Sequence, residues 1–479
     1  MGPDPEQLWR SLWQRQWQQA GSPHRLALAY SGGLDSRLLL EWLCRWCATQ
    51  PAVRLHAFHI HHGLSPQADH WLAHCAATAQ ALGVHFASQR LQLHADTLAR
   101  DGVEQAARTA RYAALATLCQ QAQIRHLLLA HQRDDQAETV LLQLLRGAGI
   151  AGLAGMAERY LLPTTDIRLL RPLLTFSRAT LAHWVQAHGL SHIEDESNQD
   201  RRYARNALRH DFLPRLEQRF PGGSACIARS AAHLQQSFSL LQEYAAEDWA
   251  RLCPQAPQQT QRLPLAPLLV MSQARRENLL RYWLHARGWR MPSQAQSLEV
   301  WRQLQAADLA QLCVTLDSGL IRVYQGDLCL TPRLDLRQPP PHRLEFRWQG
   351  EAQLDFPAWH GRLCFQRSEV GFDASWLRAR QLWLQPRAAQ QEYRIKLWRR
   401  VTRSLRKFWQ DFAVPHWERD WMPLLMSDAG LLYVAAIGMD ASHLGQGAER
   451  WEVRWQPYAL DTDAAAVQHG VTGDEEWQS

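Results

Sequence analysis

Lysine is almost missing from this chain. Of its 52 basic residues only Lys396 and Lys407 are lysines, and all the others are arginines. Long apolar runs are missing as well. No stretch of eighteen hydrophobic residues occurs, which argues against a membrane-spanning helix. The opening MGPDPEQLWRSLWQRQWQQAG is polar and glutamine-rich and has no apolar secretory core, so a cytoplasmic protein is expected. The nine cysteines are scattered and odd in number, which speaks against a disulfide framework in a chain of this length. Cys44 and Cys47 form a CxxC within a predicted helix, and no second pair follows at metal-ligand spacing. Core packing is therefore favoured for both over metal or redox work.

Hydrophobic residues make up 46% of the 479 positions and charged residues 20%, the balance of a globular chain with room for about two to four domains. The formal charge of +6 is modest. Carrying it on arginine suits contact with phosphates and bases, although a coding bias toward arginine explains it equally well.

Between residues 24 and 150 apolar runs alternate with helical patterns. RLALAY, VRLHAFHI, GVHFASQ and IRHLLLA read as strands, and SRLLLEWLCRWC, SPQADHWLAHCAATAQALG, GVEQAARTARYAALATLCQQA and DDQAETVLLQLLRG read as helices. The pattern predicts an α/β fold, with a parallel sheet wound on both faces and ligands beyond the carboxyl ends of its strands. A Gly-rich connection, LLRPLL and a helix near Arg178–His188 follow, and from about Pro221 to Arg333 the sequence is mostly helical, ending in two strands near LCVTLDS and DLCLTPR. Gln338–Pro341 reads as a stiff linker. The remainder reads as a small α+β domain with a basic helix at its middle and a strand pair near GLLYVAAIG. The expected domains are 1–218, 219–335 and 344–458, with a disordered acidic tail over 459–479.

The turn Ser31-Gly32-Gly33-Leu34-Asp35-Ser36 joins the first strand to the first sheet-flanking helix. It lacks the Gly-Lys-Ser/Thr ending of a Walker loop, so any phosphate it holds meets backbone N–H groups, serine hydroxyls and a helix N-terminus. Asp35 would repel bare phosphate but makes sense beside a Mg²⁺ ion. His131, Asp135 and Glu138 stand four and three residues apart on one helical face, with Asp134 beside them at the helix start. Such a set can hold a metal, hold an amine or act as a base. Glu104, Arg108, Arg111 and Tyr112 share a helix on which the two arginines can meet one anion. His59, His61 and His62 invite a metal, but a strand splits them across two faces, so a polar loop lining the site is preferred. The run DESNQDRRYARNALRHDFLP, 195–214, can clamp a polyanion or brace a domain junction.

SGGLDS resembles the signature of the PP-loop ATP pyrophosphatases, whose fold is Rossmann-like. That turn alone leaves open an amidotransferase or ligase acting on a small acid, a thiolating tRNA enzyme, and a non-catalytic RNA-binding shell. Taken with HHGL at 61–64, EQAARTARY at 104–112, the run His131–Met156 bearing HQRDDQAET and LLRGAGIAGLAGM, RPLL at 171–174 and the run 195–214, the first 215 residues resemble the tRNA(Ile)-lysidine synthetase family. Ser65 stands where arginine is common, and Gln105 interrupts the alanines after Glu104.

The resemblance implies ATP and Mg²⁺ as cofactors, with an isoleucine tRNA bearing a CAU anticodon and free L-lysine as partners. The C2 oxygen of the wobble cytidine would be adenylated, and the lysine ε-amine would then displace AMP. It further implies that Ser31, Gly32, Gly33, Leu34 and Ser36 hold the ATP phosphates and that Asp35 ligates Mg²⁺. Arg111, supported by Arg108, would steady the adenylate. Asp135 and Glu138, supported by Asp134, would seat the lysine, and His131 would position groups or move protons. Arg205 and the basic stretch with Arg394, Lys396, Arg399, Arg400 and Arg403 would meet the tRNA. The sequence does not set the oligomeric state; a homodimer is left open.

Overall fold

The computed structural model describes residues 4–63, 65–91, 103–162, 165–254, 262–305, 312–332, 343–387, 392–412, 414–419 and 421–457, without the side chains of 103–106, 197–198 and 332. The expected proline linker, the acidic tail, Leu64 and the side chain of Glu104 lie outside the described residues. The chain divides into two compact units, one formed by the N-terminal half to Arg251 with Glu277–Trp289, the other by Leu252–Arg276 with Arg290 onward. Among the described residues no helix is long and apolar enough to cross a membrane.

The first unit is built on a six-stranded sheet of order β3-β2-β1-β4-β6-β5. Its strands are β1 (Arg25–Ala29), β2 (Arg54–His61), β3 (His85–Arg90), β4 (His126–Leu128), β5 (Arg159–Leu161) and β6 (Arg168–Leu170). All neighbours are parallel except β5, which runs antiparallel to β6. The four strands expected from sequence are present. β5 and β6 escape the sequence reading because each is only three residues long, too short to show a period.

Period-two alternation on the central strands feeds two cores. Leu26 and Leu28 of β1 and Leu128 of β4 pack with Trp9, Trp13, Trp42, Trp46 and Trp184. Ala27 and Leu127 face the other way, against Tyr112, Leu115 and Cys119. Helices α1 (Pro5–Gln19) and α2 (Leu34–Cys47) meet through indole rings, with Trp9 and Trp42 centroids 5.3 Å apart and Trp13 and Trp46 5.5 Å apart. Cys44 and Cys47 pack against this core, are not disulfide-bonded, and burial pushes both thiols up to about 12. They belong to the packing.

Strand order reverses between β1 and β4. The loops leaving these two strands therefore diverge to opposite faces and open a crevice, the usual ligand position in such sheets. The turn after β1 and the acidic segment after β4 both lie there.

In the second unit, β7 (Arg262–Pro264), β8 (Cys313–Leu316), β9 (Gly319–Tyr324) and β10 (Asp327–Pro332) form an antiparallel sheet. Two strands were expected at this place; β9, which alternates burial at every residue, lies between them. Further on, a five-stranded and a three-stranded sheet enclose a core around Trp348, Phe365 and Leu432. The basic stretch is not the helix that was expected. It forms a hairpin of β11 (Arg394–Ile395) and β12 (Arg403–Ser404), and helix begins only at Leu405. Buried Tyr393, Ile395 and Leu397 alternate with exposed Arg394, Lys396 and Trp398, a period of two that the density of charge conceals.

Gly32 lies at φ +84°, and a Cβ there would stand 2.3 Å from Ile193 Cδ1 and 2.8 Å from Cys75 Sγ. Gly32→Ala is expected to destabilise the first unit by about 1–3 kcal/mol through left-handed strain and overpacking. Urea unfolding of the full chain checks this, with Gly83→Ala as the comparison, because Gly83 has positive φ but nothing within 4 Å of its added Cβ.

Candidate active site

The turn after β1 is fastened from two sides. The Tyr30 N–H donates to the Phe58 carbonyl of β2 at 2.8 Å, and the Ile193 N–H donates to the Gly32 carbonyl at 2.9 Å. The Ser31 and Ser36 hydroxyls lie 3.0 Å apart, and Ser36 donates to the Gly33 carbonyl at 3.0 Å. Gly33 is the N-cap of α2 without any side-chain cap, and Asp35 sits in its first turn. The open amides of this helix start suit an anion.

Asp35 has a buried carboxylate oxygen, Oδ1, with no hydrogen-bond partner. Burial, and next the charge of Asp135, push its acid up to about 7. A buried, unpaired oxygen facing a second carboxylate fits a divalent cation, which Mg²⁺ satisfies with one or two carboxylates plus phosphate oxygens. Among the described residues no group of three or more His, Cys, Asp or Glu forms a metal cage. The His59 ring nitrogen Nδ1 stands 2.9 Å from the Tyr30 carbonyl, and His61, two residues on and on the same strand face, lies 3.3 Å from Asp69.

Helix α5 (Arg133–Leu145) follows α3 (Ala68–Ala81) and α4 (Val103–Gln121) in chain order and carries the acids. Gln132 caps it: its side chain accepts from the Asp134 N–H at 2.6 Å, while Asp135 Oδ2 accepts from the Gln132 N–H at 3.0 Å. Asp134 Oδ2 accepts from the Arg178 N–H at 3.1 Å. Glu138 is 1% exposed. Its charge is held by Arg209, with Nε to Oε1 at 2.7 Å and the terminal nitrogen to Oε2 at 2.9 Å, and by Arg205 Nε to Oε2 at 2.9 Å. Arg209 also reaches Asp135 Oδ1 at 3.0 Å.

Arg205 and Arg209 stand four apart where a short helix, Ala204–Ala207, opens into a π turn, Leu208–Phe212. Four-residue spacing brings them to one side, and Pro214 removes a donor that a continuous α-helix would need there. Arg205 was expected on the tRNA; the structure places it against Glu138, inside the catalytic unit. Arg209 was not singled out at all. The four-residue spacing puts both arginines on one side but does not tell which distant carboxylate they meet.

Arg171, of the RPLL segment, is 3% exposed. Its Nε donates to His131 Nδ1 at 3.3 Å and its terminal nitrogen to the Ala157 carbonyl at 2.6 Å, and it also bonds the Tyr112 hydroxyl. Burial, then the positive charge of Arg171, holds His131 well below the ordinary histidine value. The ring is neutral and carries its proton on Nε2. The guanidinium carbons of Arg108 and Arg111 lie 5.5 and 6.0 Å from the Tyr112 ring centroid. The expected site residues of the first unit thus gather at one crevice, joined by Arg171, Arg178, Arg209 and Gln132.

Residues 9–216 match the PP-loop domain family, 263–329 the TilS substrate binding domain and 382–455 the TilS substrate C-terminal domain. The chain is 39% identical over 469 residues to a tRNA(Ile)-lysidine synthase of Burkholderia mallei, covering 91% of this chain and 94% of that one. It is 38% identical over 447 residues to a tRNA(Ile)-lysidine synthase of Escherichia coli O157:H7, covering 90% and 96%. Among solved structures it is similar to the U34-tRNA thiolase NcsA of Methanococcus maripaludis, at 17% identity and TM-score 0.39, covering 44% of this chain and 72% of that one.

A histidine neutral in the folded chain and protonated in the unfolded one makes stability fall as pH drops below the unfolded value of 6.5. His131→Gln should remove a slope of about 1.4 kcal/mol per pH unit below that value. Denaturant unfolding of both proteins between pH 5 and 8 measures the difference.

Proposed function

The chain belongs to the tRNA(Ile)-lysidine synthase family, and we propose how its residues divide that reaction. The enzyme is a ligase forming a carbon–nitrogen bond. The C2 oxygen of the wobble cytidine of the CAU-anticodon isoleucine tRNA is adenylated at the expense of ATP, with pyrophosphate released. The ε-amine of free lysine then attacks C2, the bond to the AMP-bearing oxygen breaks, and the codon read changes from AUG to AUA.

The observation that carries the division of roles is geometric: the buried, unpaired Asp35 Oδ1 at the phosphate turn after β1 and Asp135, held by Gln132 and Arg209 after β4, flank the point where the strand order reverses. Nucleotide and amino acid meet across that gap. The amides and hydroxyls from Ser31 to Ser36 take the ATP phosphates. Asp35 Oδ1 would ligate Mg²⁺, which when bound would offset the charge developing on pyrophosphate. Arg111, with Arg108, steadies the adenylate.

Asp135 and Glu138 seat the lysine, and the arginines on them define how. Each carboxylate offers about four acceptor positions. Glu138 takes three guanidinium bonds, and Asp135 takes one from Arg209 and one from Gln132. Acceptor positions remain for the donors of an incoming amine. Two guanidiniums already balance the two acids, so an incoming amine is favoured in its neutral, nucleophilic form. His131 keeps its Nδ1 occupied and its proton on Nε2, so it serves as a donor to substrate, and the amine proton leaves to solvent.

Labelled lysine incubated with the protein, ATP and the CAU-anticodon transcript should enter the RNA; a folded protein that transfers no label rejects the assignment. Asp35→Ala should abolish adenylation. Asp135→Asn should slow lysine transfer by about 100-fold while adenylation falls far less; equal losses would refute separate roles. Arg209→Met should shift the pH–rate profile of lysine transfer toward higher pH, by about one unit, read in single-turnover assays from pH 6.5 to 9.5.

A further inference from the structure

In the second unit Trp398 breaks the pattern set by every other described tryptophan. It is 55% exposed, whereas each of the others is buried or half-buried. It stands at the tip of the β11–β12 hairpin. Burial alternates along the first arm, so exposed Arg394 and Lys396 share one face, separated by roughly 6.6 Å, and the alternation runs on to Trp398. Arg399 turns the chain at φ 58°. Arg400, Val401, Arg403 and Phe408 line a cleft of about 330 Å³ in the same loop. From Tyr393 to Arg403 there is no acidic residue.

We propose that this tip is a stacking post for an unpaired base of the RNA substrate, with Arg394 and Lys396 on the flanking phosphates. The proposal rests on the tRNA reading above and assigns the contact to a residue. An indole left in water gains nothing for the fold, since its burial would be favourable. Interleaving a flat ring with cations is how single-stranded nucleic acid is held: bases stack on the ring and phosphates follow the charge. An anionic lipid surface would also take an exposed indole beside cations, but the RNA substrate of the family offers unpaired bases to the ring and phosphates to the charges together.

Binding of the CAU-anticodon tRNA to the full chain across 50–200 mM salt tests it. Trp398→Ala should weaken binding by about 5- to 150-fold, the effect of losing one stacked base, with the salt slope unchanged. Trp398→Phe should retain most of the affinity. The double variant R394Q/K396Q should lower the salt slope by about 1.5. In the unaltered protein, bound tRNA should shield the most acrylamide-quenchable tryptophan. Unchanged affinity of Trp398→Ala in a chain whose parent binds and modifies the tRNA overturns the proposal and leaves the enzyme assignment standing. A parent chain that binds no tRNA refutes both.

Discussion

The site hangs on a buried negative charge. Glu138 is almost sealed from water, and an isolated carboxylate there would be costly. Two arginines from a segment some seventy residues further along the chain satisfy it. Removing one partner of such a group is strongly destabilising, whereas the intact set contributes little net stability. Its value is geometric. Because the arginines cannot leave Glu138 without stranding its charge, the loop and π turn that carry them are fixed against α5, and the neighbouring Asp135 is aimed by the same Arg209.

A second constraint orders the other half. The glycine turn is clamped between β2 and Ile193, and Cys75 and Ile193 leave no room for a side chain on Gly32. The amides of the turn are therefore preorganised before any anion arrives, as electrostatic stabilisation requires. The reversal of strand order then sets this turn beside the acids. Neither half needs to move far to share a substrate.

Much of this was legible in the sequence, for physical reasons. Buried parallel strands announce themselves as apolar runs, and helices with one apolar stripe announce themselves by spacing, so β1 to β4 and their helices were read correctly. The turn and the acid set stood out by position, each between an apolar strand and the start of a helix, where such sheets hold their ligands. The arginines on Glu138 were quoted within a motif but not paired with it, since spacing along a chain says nothing about which distant segment a side chain will meet. β5 and β6 are too short to carry a period. The basic hairpin was mistaken for a helix because exposed charge hid the alternation of Tyr393, Ile395 and Leu397.

The scarcity of lysine takes on meaning in this light. Both lysines, Lys396 and Lys407, fall in or next to the hairpin of the second unit, and none occurs in the chain before them. An electrophilic nucleotide ester is held, on the proposed reaction, in a crevice built wholly from that lysine-free sequence. No lysine side chain of the surrounding unit can compete with the free amino acid for it.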